Sequence, residues 1–472
     1  MKEFSVSIKP PEWVKKAVFY QIFPDRFANG DSSNDPINVV PWDSKPTQDN
    51  FFGGDLQGII DHLEYIKELG INAIYLTPIF KARTNHKYDT QDYYSIDPTL
   101  GSKVNFKKLV YTLHKNDIKI ILDGVFNHCG DGFWAFEDVV KNGEKSKYVD
   151  WYYFKSLPAN KKMLNYQTCG GVSILPKLNL HNKLVREYVY GVARFWMRDF
   201  EIDGWRLDVP WKVSNDFWRE FRNIMKSQNS DAYIVGEIWR DPSPWVTGET
   251  FDGIMNYPLR DCILDYLVYD RMDAEDFNIS ISRLSAIYQK TKEFHLNLLD
   301  SHDTPRLFTL CRKDIQRFIL SYSFLLTYVG APMIFYGDEI GLSGENDPDC
   351  RKPMVWNKNK WNDDIFQFIK KLISFRKNHP SLYKGNFEVI SVFNGVFGYK
   401  REFDNDVVII LLNPRYSMKD FNLNTNITKN TVPVWKDLLT GDLFISKNGE
   451  IHFQNVDEKR AYIIYPEQTI KE

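Results

Sequence analysis

Ile118-Lys-Ile-Ile-Leu-Asp-Gly-Val125, followed at once by Phe126-Asn127-His128, sets the pattern of this chain. Its apolar residues run almost without a break, as in a strand buried on both faces, and the run ends on polar groups. Just before it, Asn105 to Lys115 repeats apolar residues at three- and four-residue spacing, the mark of an amphipathic helix. Similar apolar runs occur at Ala17 to Phe23, Ile71 to Pro78, Ile202 to Val209, Ala232 to Ile238, Gly253 to Asn256, His295 to Leu299 and Pro332 to Tyr336. Amphipathic stretches such as Leu56 to Leu69 separate most of them. Eight strands alternating with helices predict an α/β fold, the parallel (β/α)8 or TIM barrel.

Two departures from this rhythm predict further parts. Some 55 residues rich in Gly, Lys and aromatics lie between the third strand and the helical stretch from Leu184, too many for a plain loop. After Pro380 the pattern becomes short alternating runs, such as Gly395 to Arg401, Asp406 to Leu412 and Ala461 to Tyr465, separated by Asn, Asp and Gly turns. The expected organisation is a barrel over 1–128 and 184–382, a subdomain inserted after strand three over 129–183, and a C-terminal antiparallel β-sandwich over 383–472.

A chain of 472 residues is long enough for two or three domains. Lys and Arg number 60 against 62 Asp and Glu, a net charge of -2, which offers no basic excess for nucleic acid or an anionic membrane. Cys129, Cys169, Cys262, Cys311 and Cys350 are odd in number and scattered, which argues against a disulfide framework and for a reducing compartment. The N-terminal stretch has no apolar core of a secretory signal, and no run of about 20 uncharged apolar residues follows, so a cytoplasmic location is expected. The sequons at Asn278 and Asn426 would then go unused. Aromatics at 15% suit a large core and also the flat apolar faces of sugars.

In such a barrel the reacting groups come from the C-terminal ends of strands. Asp123-Gly-Val-Phe-Asn127-His128, Gly204-Trp-Arg206-Leu-Asp208, Gly236-Glu237-Ile-Trp239 and Leu299-Asp300-Ser-His302-Asp303 end strands three, four, five and seven. Any one of these carboxylates alone could be a helix cap or an ion-pair partner. Together they bring Asp208, Glu237 and Asp303 to one face with His128, Arg206 and His302. Paired carboxyls in different protonation states are what glycoside hydrolysis uses. Arg206 shares a strand face with Asp208 and favours its ionised, nucleophilic form, while the apolar neighbours of Glu237 suit a proton donor.

These four segments resemble the signature regions of the α-amylase superfamily, glycoside hydrolase family 13, and the resemblance covers nearly the whole chain. It implies Asp208 as nucleophile, Glu237 as general acid/base and Asp303 as the carboxylate that stabilises the transition state, with His128, Arg206 and His302 gripping the sugar. Asp123 and Asn127 would support the site. Leu175-Pro-Lys177-Leu-Asn179 resembles the fifth region of the neopullulanase, cyclomaltodextrinase and maltogenic amylase subgroup. His86-Lys-Tyr88-Asp89 resembles the segment lining the cleavage subsite, and Asp347-Pro-Asp-Cys-Arg351 the loop that binds the next sugar. Trp239 matches an acceptor-side aromatic. Asn29-Gly-Asp31-Ser-Ser-Asn34-Asp35 and Gly53-Gly54-Asp55 read first as turns. A similar segment in the subgroup binds calcium, which implies Asn29, Asp31, Asn34, Asp35, the Gly53 carbonyl and Asp55 as ligands of a structural Ca²⁺.

Two features depart from the subgroup. Its members usually carry a further N-terminal β-domain that builds a dimer, whereas here the barrel begins almost at once, so either a monomer or a homodimer is expected. After the nucleophile, where the subgroup tends toward Asp-Val-Ala-Asn-Glu, this chain has Asp208-Val-Pro210-Trp211-Lys212. The expected function is a retaining α-glucan hydrolase acting on α-1,4 and also α-1,6 links of maltooligosaccharides, cyclodextrins, pullulan or starch, with transfer to a second sugar alongside hydrolysis. A 4-α-glucanotransferase or α-glucosidase on the same scaffold, a catalytically silent sugar-binding protein, and a metal-dependent barrel hydrolase remain as alternatives.

Overall fold

The computed structural model describes residues 9–425 and 434–467, and the Asn426 sequon lies outside them. Eight parallel strands form a closed ring: β1 (Phe19–Ile22), β2 (Ala73–Leu76), β3 (Lys119–Gly124), β4 (Gly204–Leu207), β5 (Tyr233–Ile238), β6 (Gly253–Asn256), β7 (Leu296–Asn297) and β8 (Ala331–Phe335). Closure is made by β1, where Tyr20 pairs with Ile74 of β2 on one side and Ile334 of β8 on the other.

Successive residues of a strand point to opposite faces, and that alternation sorts this chain. Tyr20, Ile22, Ile74, Ile120, Leu122, Trp205 and Ile334 point outward into the core shared with the helices. Phe19, Ala73, Tyr75, Ile121, Tyr233, Val235, Met255, Leu296 and Met333 fill the barrel interior. Continuing the inward set toward the strand ends gives Gln21, Asp123, Arg206 and Glu237, all buried. The same period that packs the barrel therefore delivers polar groups to its C-terminal mouth. Gly204 starts β4 because a Cβ there would fall 2.0 Å from the Tyr233 carbonyl oxygen of the neighbouring strand.

The outer layer includes helices Lys103–Lys115, Lys183–Phe200, Asn215–Gln228, Ala274–Tyr288, Ile315–Thr327 and Asp363–Asn378. Ser102 and Asn105 form a reciprocal capping box at the start of the first, which satisfies otherwise free N–H groups. The stretch from Leu56 to Leu69 is two helices, Leu56–Asp61 and Leu63–Leu69, meeting at His62. Between β3 and the helix from Lys183 lie helix Trp134–Asn142 and a long excursion. That excursion is packed on Phe133, Phe136, Trp151, Tyr152 and Tyr166 and returns to the loop after β3 through a bridge from His128 to Lys177.

Apart from a small antiparallel pair, Phe80–Lys81 with Asp92–Ile96, in the loop after β2, the other strands lie beyond the barrel: β9 (Asn386–Phe393), β10 (Val396–Phe403), β11 (Asp406–Asn413), β12 (Met418–Asn424), β13 (Val434–Asp437), β14 (Leu443–Lys447), β15 (Glu450–Val456) and β16 (Arg460–Pro466). They pair antiparallel in the order β9-β10-β11-β16-β13-β14-β15-β12. Phe421, Leu423, Ile451 and Phe453 pack over Ile409, Leu411, Tyr462 and Ile464, giving the sheet a folded-over, sandwich-like core. Its other face joins the barrel. Phe397, Tyr399, Ile410 and Leu412 belong to the same core as the barrel helices, and the Arg401 guanidinium donates to the Thr327 and Gly385 carbonyls.

Candidate active site

Arg206 is the centre of the mouth of the barrel. Its side chain is fully buried, and its Nη1 donates to Asp123 and to Asp208 Oδ1, each at 3.0 Å. Nη2 lies 3.1 Å from Glu237 Oε1. One planar guanidinium thus ties the ends of β3, β4 and β5 together, its several donors serving three carboxylates where a lysine would offer a single point charge. The expectation that Arg206 singles out Asp208 is corrected here, since it serves both carboxylates. Burial works against the charge of both: it pushes Asp208 well above the usual carboxylate range, helped by the adjacent Glu237 charge and opposed by Arg206. Glu237 is raised by burial against Arg206, and Asp123 is pushed up to about 6 by burial in the same way.

The two carboxyls differ in their other partners. Glu237 Oε2 accepts the Val209 backbone N–H at 2.9 Å, and Oε1 accepts the Trp239 indole N–H at 2.8 Å. Trp239 lies flat on Tyr257, with ring centroids 3.7 Å apart. The aromatic expected on the acceptor side is therefore placed on Glu237 itself. Asp208 keeps only Arg206 at hydrogen-bond distance, with His128 Nδ1 4.0 Å from its Oδ2. Burial holds His128 down at about 4, hence neutral, and its Nε2 is buried without a partner.

A second chain of bonds crosses the mouth. The Gln21 side-chain nitrogen lies 2.7 Å from His302 Nδ1, and with Gln21 donating, the ring proton sits on Nε2. That nitrogen faces the Tyr88 hydroxyl at 2.6 Å and Asp303 Oδ2 at 3.2 Å, while Tyr88 donates to Asp123 Oδ2 at 3.0 Å. Tyr75 donates to the same oxygen at 2.6 Å. The rings of Tyr88 and His302 are parallel within 6°. His86 accepts the Tyr88 N–H at 3.1 Å, and burial lowers it to about 4. Both His302 nitrogens being engaged, that ring is oriented for hydrogen bonding, not for metal ligation.

Asp303 is the most open of the three carboxylates, about a quarter exposed, and Arg351 links its Oδ1 (3.2 Å) to Asp347 (3.1 Å). Arg351 also donates to the His302 carbonyl at 2.8 Å. Residues from strand ends one to five, from the loops after β2 and β7 and from the loop after β8 therefore converge on one buried, polar pocket. Asn127 is buried and turned toward His128. Sequence reasoning missed Gln21, Tyr75, Tyr257 and the Val209 backbone. Gln21 had a readable signal, a lone amide inside an otherwise apolar strand; the tyrosines look like core.

The N-terminal oxygen cluster also assembles. Asp55 caps helix Leu56–Asp61 and commits both oxygens to N–H groups, of Gly30 and Gly58 on Oδ1, and of Asp31 and Asn34 on Oδ2. Asn29 donates to Asp35 Oδ1 at 2.7 Å, beside Gly53 with its positive φ of 80°. Asn34 Oδ1 is buried with no partner. A free oxygen among Asp31, Asp35 and a backbone turn fits a hard cation. Among the described residues no three His, Cys, Asp or Glu side chains could hold a metal alone, so amide and carbonyl oxygens would complete the set.

No described helix is long and apolar enough to cross a membrane. The family description "Alpha amylase, catalytic domain" matches residues 21–385. The chain is 48% identical to a cyclomaltodextrinase of Bacillus sp over 411 residues, 86% of this chain and 74% of that one. It is 45% identical to neopullulanase 2 of Thermoactinomyces vulgaris, over 93% and 76% of the two chains. The cyclic α-maltosyl-(1→6)-maltose hydrolase of Arthrobacter globiformis, solved with that sugar, superposes with a TM-score of 0.88 at 42% identity, covering 97% of this chain and all of the other. A closed eight-stranded barrel, the carboxylates gathered at its mouth and these likenesses lead to one conclusion: the chain belongs to the alpha-amylase family of glycoside hydrolases.

Proposed function

We propose that the chain is a retaining α-glucan hydrolase that cleaves α-1,4 and α-1,6 glucosidic bonds in maltooligosaccharides, cyclodextrins and pullulan. The observation that carries the reading is the single buried guanidinium of Arg206 with Asp208 and Glu237 on its adjacent nitrogens. Protonated Glu237 gives its proton to the glycosidic oxygen as the C1–O bond breaks and its electron pair goes to that oxygen. Asp208, ionised, attacks C1 from the opposite face and forms the glycosyl-enzyme. Glu237, now a carboxylate, takes a proton from water or from a sugar hydroxyl, which attacks C1 and releases Asp208. Such a pair is expected about 5 to 5.5 Å apart, the separation of retaining enzymes. Asp303 and His302 are positioned to hold the sugar hydroxyls, Tyr88 to cover the ring, and Arg351 with Asp347 to bind the next unit.

The test is a product profile on β-cyclodextrin, pullulan, soluble starch and maltotriose, with anomers followed by NMR and an Asp208→Asn control. Opening of cyclodextrin with α-anomeric products supports the reading. A β-anomer would mean inversion, and ladders longer than maltotriose would make the chain chiefly a glucanotransferase.

The same reading includes a structural Ca²⁺ held by Asn34, Asp31, Asp35, Asn29 and the Gly53 carbonyl; Asp55, expected as a further ligand, anchors the loop instead, because both its oxygens already accept N–H groups. Its support is the partnerless Asn34 oxygen. Melting the chain in EGTA and in calcium tests it: equal melting temperatures remove the ion from the account. The odd number and wide scatter of the five cysteines support work in the cytoplasm.

A further inference from the structure

Val209, directly after Asp208, has φ 36° and ψ 49°, the left-handed region. A β-branched residue is rarely found there, and the residue before a proline, here Pro210, is biased toward extended conformations. Strain of this kind persists only where the surroundings over-determine it. Downstream, the Lys212 and Val213 N–H groups bond to the Val209 and Pro210 carbonyls at 3.1 Å, and the Trp218 indole donates to the Pro210 carbonyl at 3.0 Å. Upstream, the Asp208 N–H is held by the Gly124 carbonyl at 3.2 Å. Only the peptide plane between Asp208 and Val209 is left to turn. As it stands, its N–H points at Glu237 Oε2 (2.9 Å).

Turning that plane by half a revolution, with both Cα atoms still, returns φ of Val209 to the negative range open to it. The same turn removes the N–H from Glu237 and presents the Asp208 carbonyl oxygen in its place. An N–H suits a carboxylate, whereas a carbonyl suits a protonated carboxyl. Resting on the reading of Glu237 as the acid/base, we propose that the Asp208–Val209 peptide is a two-position element that positions Glu237. The strained position serves its carboxylate form and the relaxed position its protonated form. Val209 is thus a positioning residue, and its side chain acts through the strain that it imposes. The other groups facing Glu237 are Arg206 and Asp208 from β4, Asp123 from β3, Asp303 after β7, Trp239 and Tyr257, with Cys169 further out. None of them changes in the variants below.

The experiment is the pH dependence of kcat/KM, which reports the free enzyme, for the wild type, Val209→Gly and Val209→Ala. Glycine occupies the strained position without penalty, which favours the carboxylate. The limb at which activity falls with rising pH should then move toward acid by about 0.7 to 1.5 units, the size of a left-handed penalty of roughly 1–2 kcal/mol. Alanine keeps the Cβ and loses only the branch, so its limb should stay closer to the wild-type limb than to that of glycine. Equal shifts in both variants, or none in glycine, overturn the proposal. A crystal structure of Glu237→Ala supplies a second reading: φ of Val209 should become negative once the carboxylate is gone, and a φ that stays positive refutes the two-position element. Turnover retained by Glu237→Gln would instead overturn the functional reading on which this rests.

Discussion

Asp208 stands where burial works against its charge, so its replacement separates stability from chemistry. Asp208→Asn should lower kcat by several orders of magnitude and leave the melting temperature at least as high as in the wild type, because a buried charge is removed while the shape is kept. Substantial remaining turnover would exclude it as the nucleophile. The sign of the pH effect follows from the raised carboxyls. A group such as Asp123, at about 6 when folded, binds a proton more tightly in the folded than in the unfolded chain. Its stabilising contribution is full below its unfolded value near 3.9 and is lost as pH rises through about 6. His86 and His128, lowered to about 4, act oppositely, losing stability as pH falls from about 6.5 toward 4. The informative quantity is therefore a difference: between about pH 4 and 6 the melting temperature of Asp123→Asn should fall less with rising pH than that of the wild type. Parallel curves would show that the carboxyl does not titrate there.

Among the elements, helix Asn215–Gln228 shows how the scaffold holds the strands that carry the site. Arg222 and Lys226 reach from it to buried Asp252, at 2.7 and 2.9 Å, and Asp252 Oδ2 also accepts the Ile234 N–H of β5 at 2.9 Å. Removing one partner of a buried ion group leaves uncompensated charge, so Asp252→Ala should cost about 3–5 kcal/mol. A denaturant melt checks this, and a loss under about 1 kcal/mol would mean that the cations find other partners. The elements were also the most legible part of the chain. Seven of the eight apolar runs contain a whole barrel strand, even β7 with its two paired residues, and Pro332 to Tyr336 misses only Ala331 of β8, because burial on both faces forces continuous apolar composition. What could not be read depends on adjacency across the ring. Tyr75 meets Asp123 from the next strand, and Trp239 reaches Glu237 only because Tyr257 lies beneath it. The backbone turn at Val209 leaves no mark in residue type at all, since Val-Pro reads as extended chain.

At the scale of the molecule, barrel and C-terminal sheet share a continuous apolar core. Tyr266 donates to the Gly395 and Leu412 carbonyls, and the Tyr399 and Thr327 hydroxyls meet at the junction. Calorimetry should therefore show one cooperative transition, and two resolved transitions would mean that the sheet folds independently. The ring closure by β1 carries one more consequence. The Gln21 to His302 bond joins residues 281 positions apart, so the pocket comes together only when the first strand meets its late partners. Contacts of that sequence separation are slow to form, because chain entropy is lost before they return anything. During refolding, helical signal should recover before catalysis does, and the return of turnover would time the moment at which the two ends of the barrel find each other.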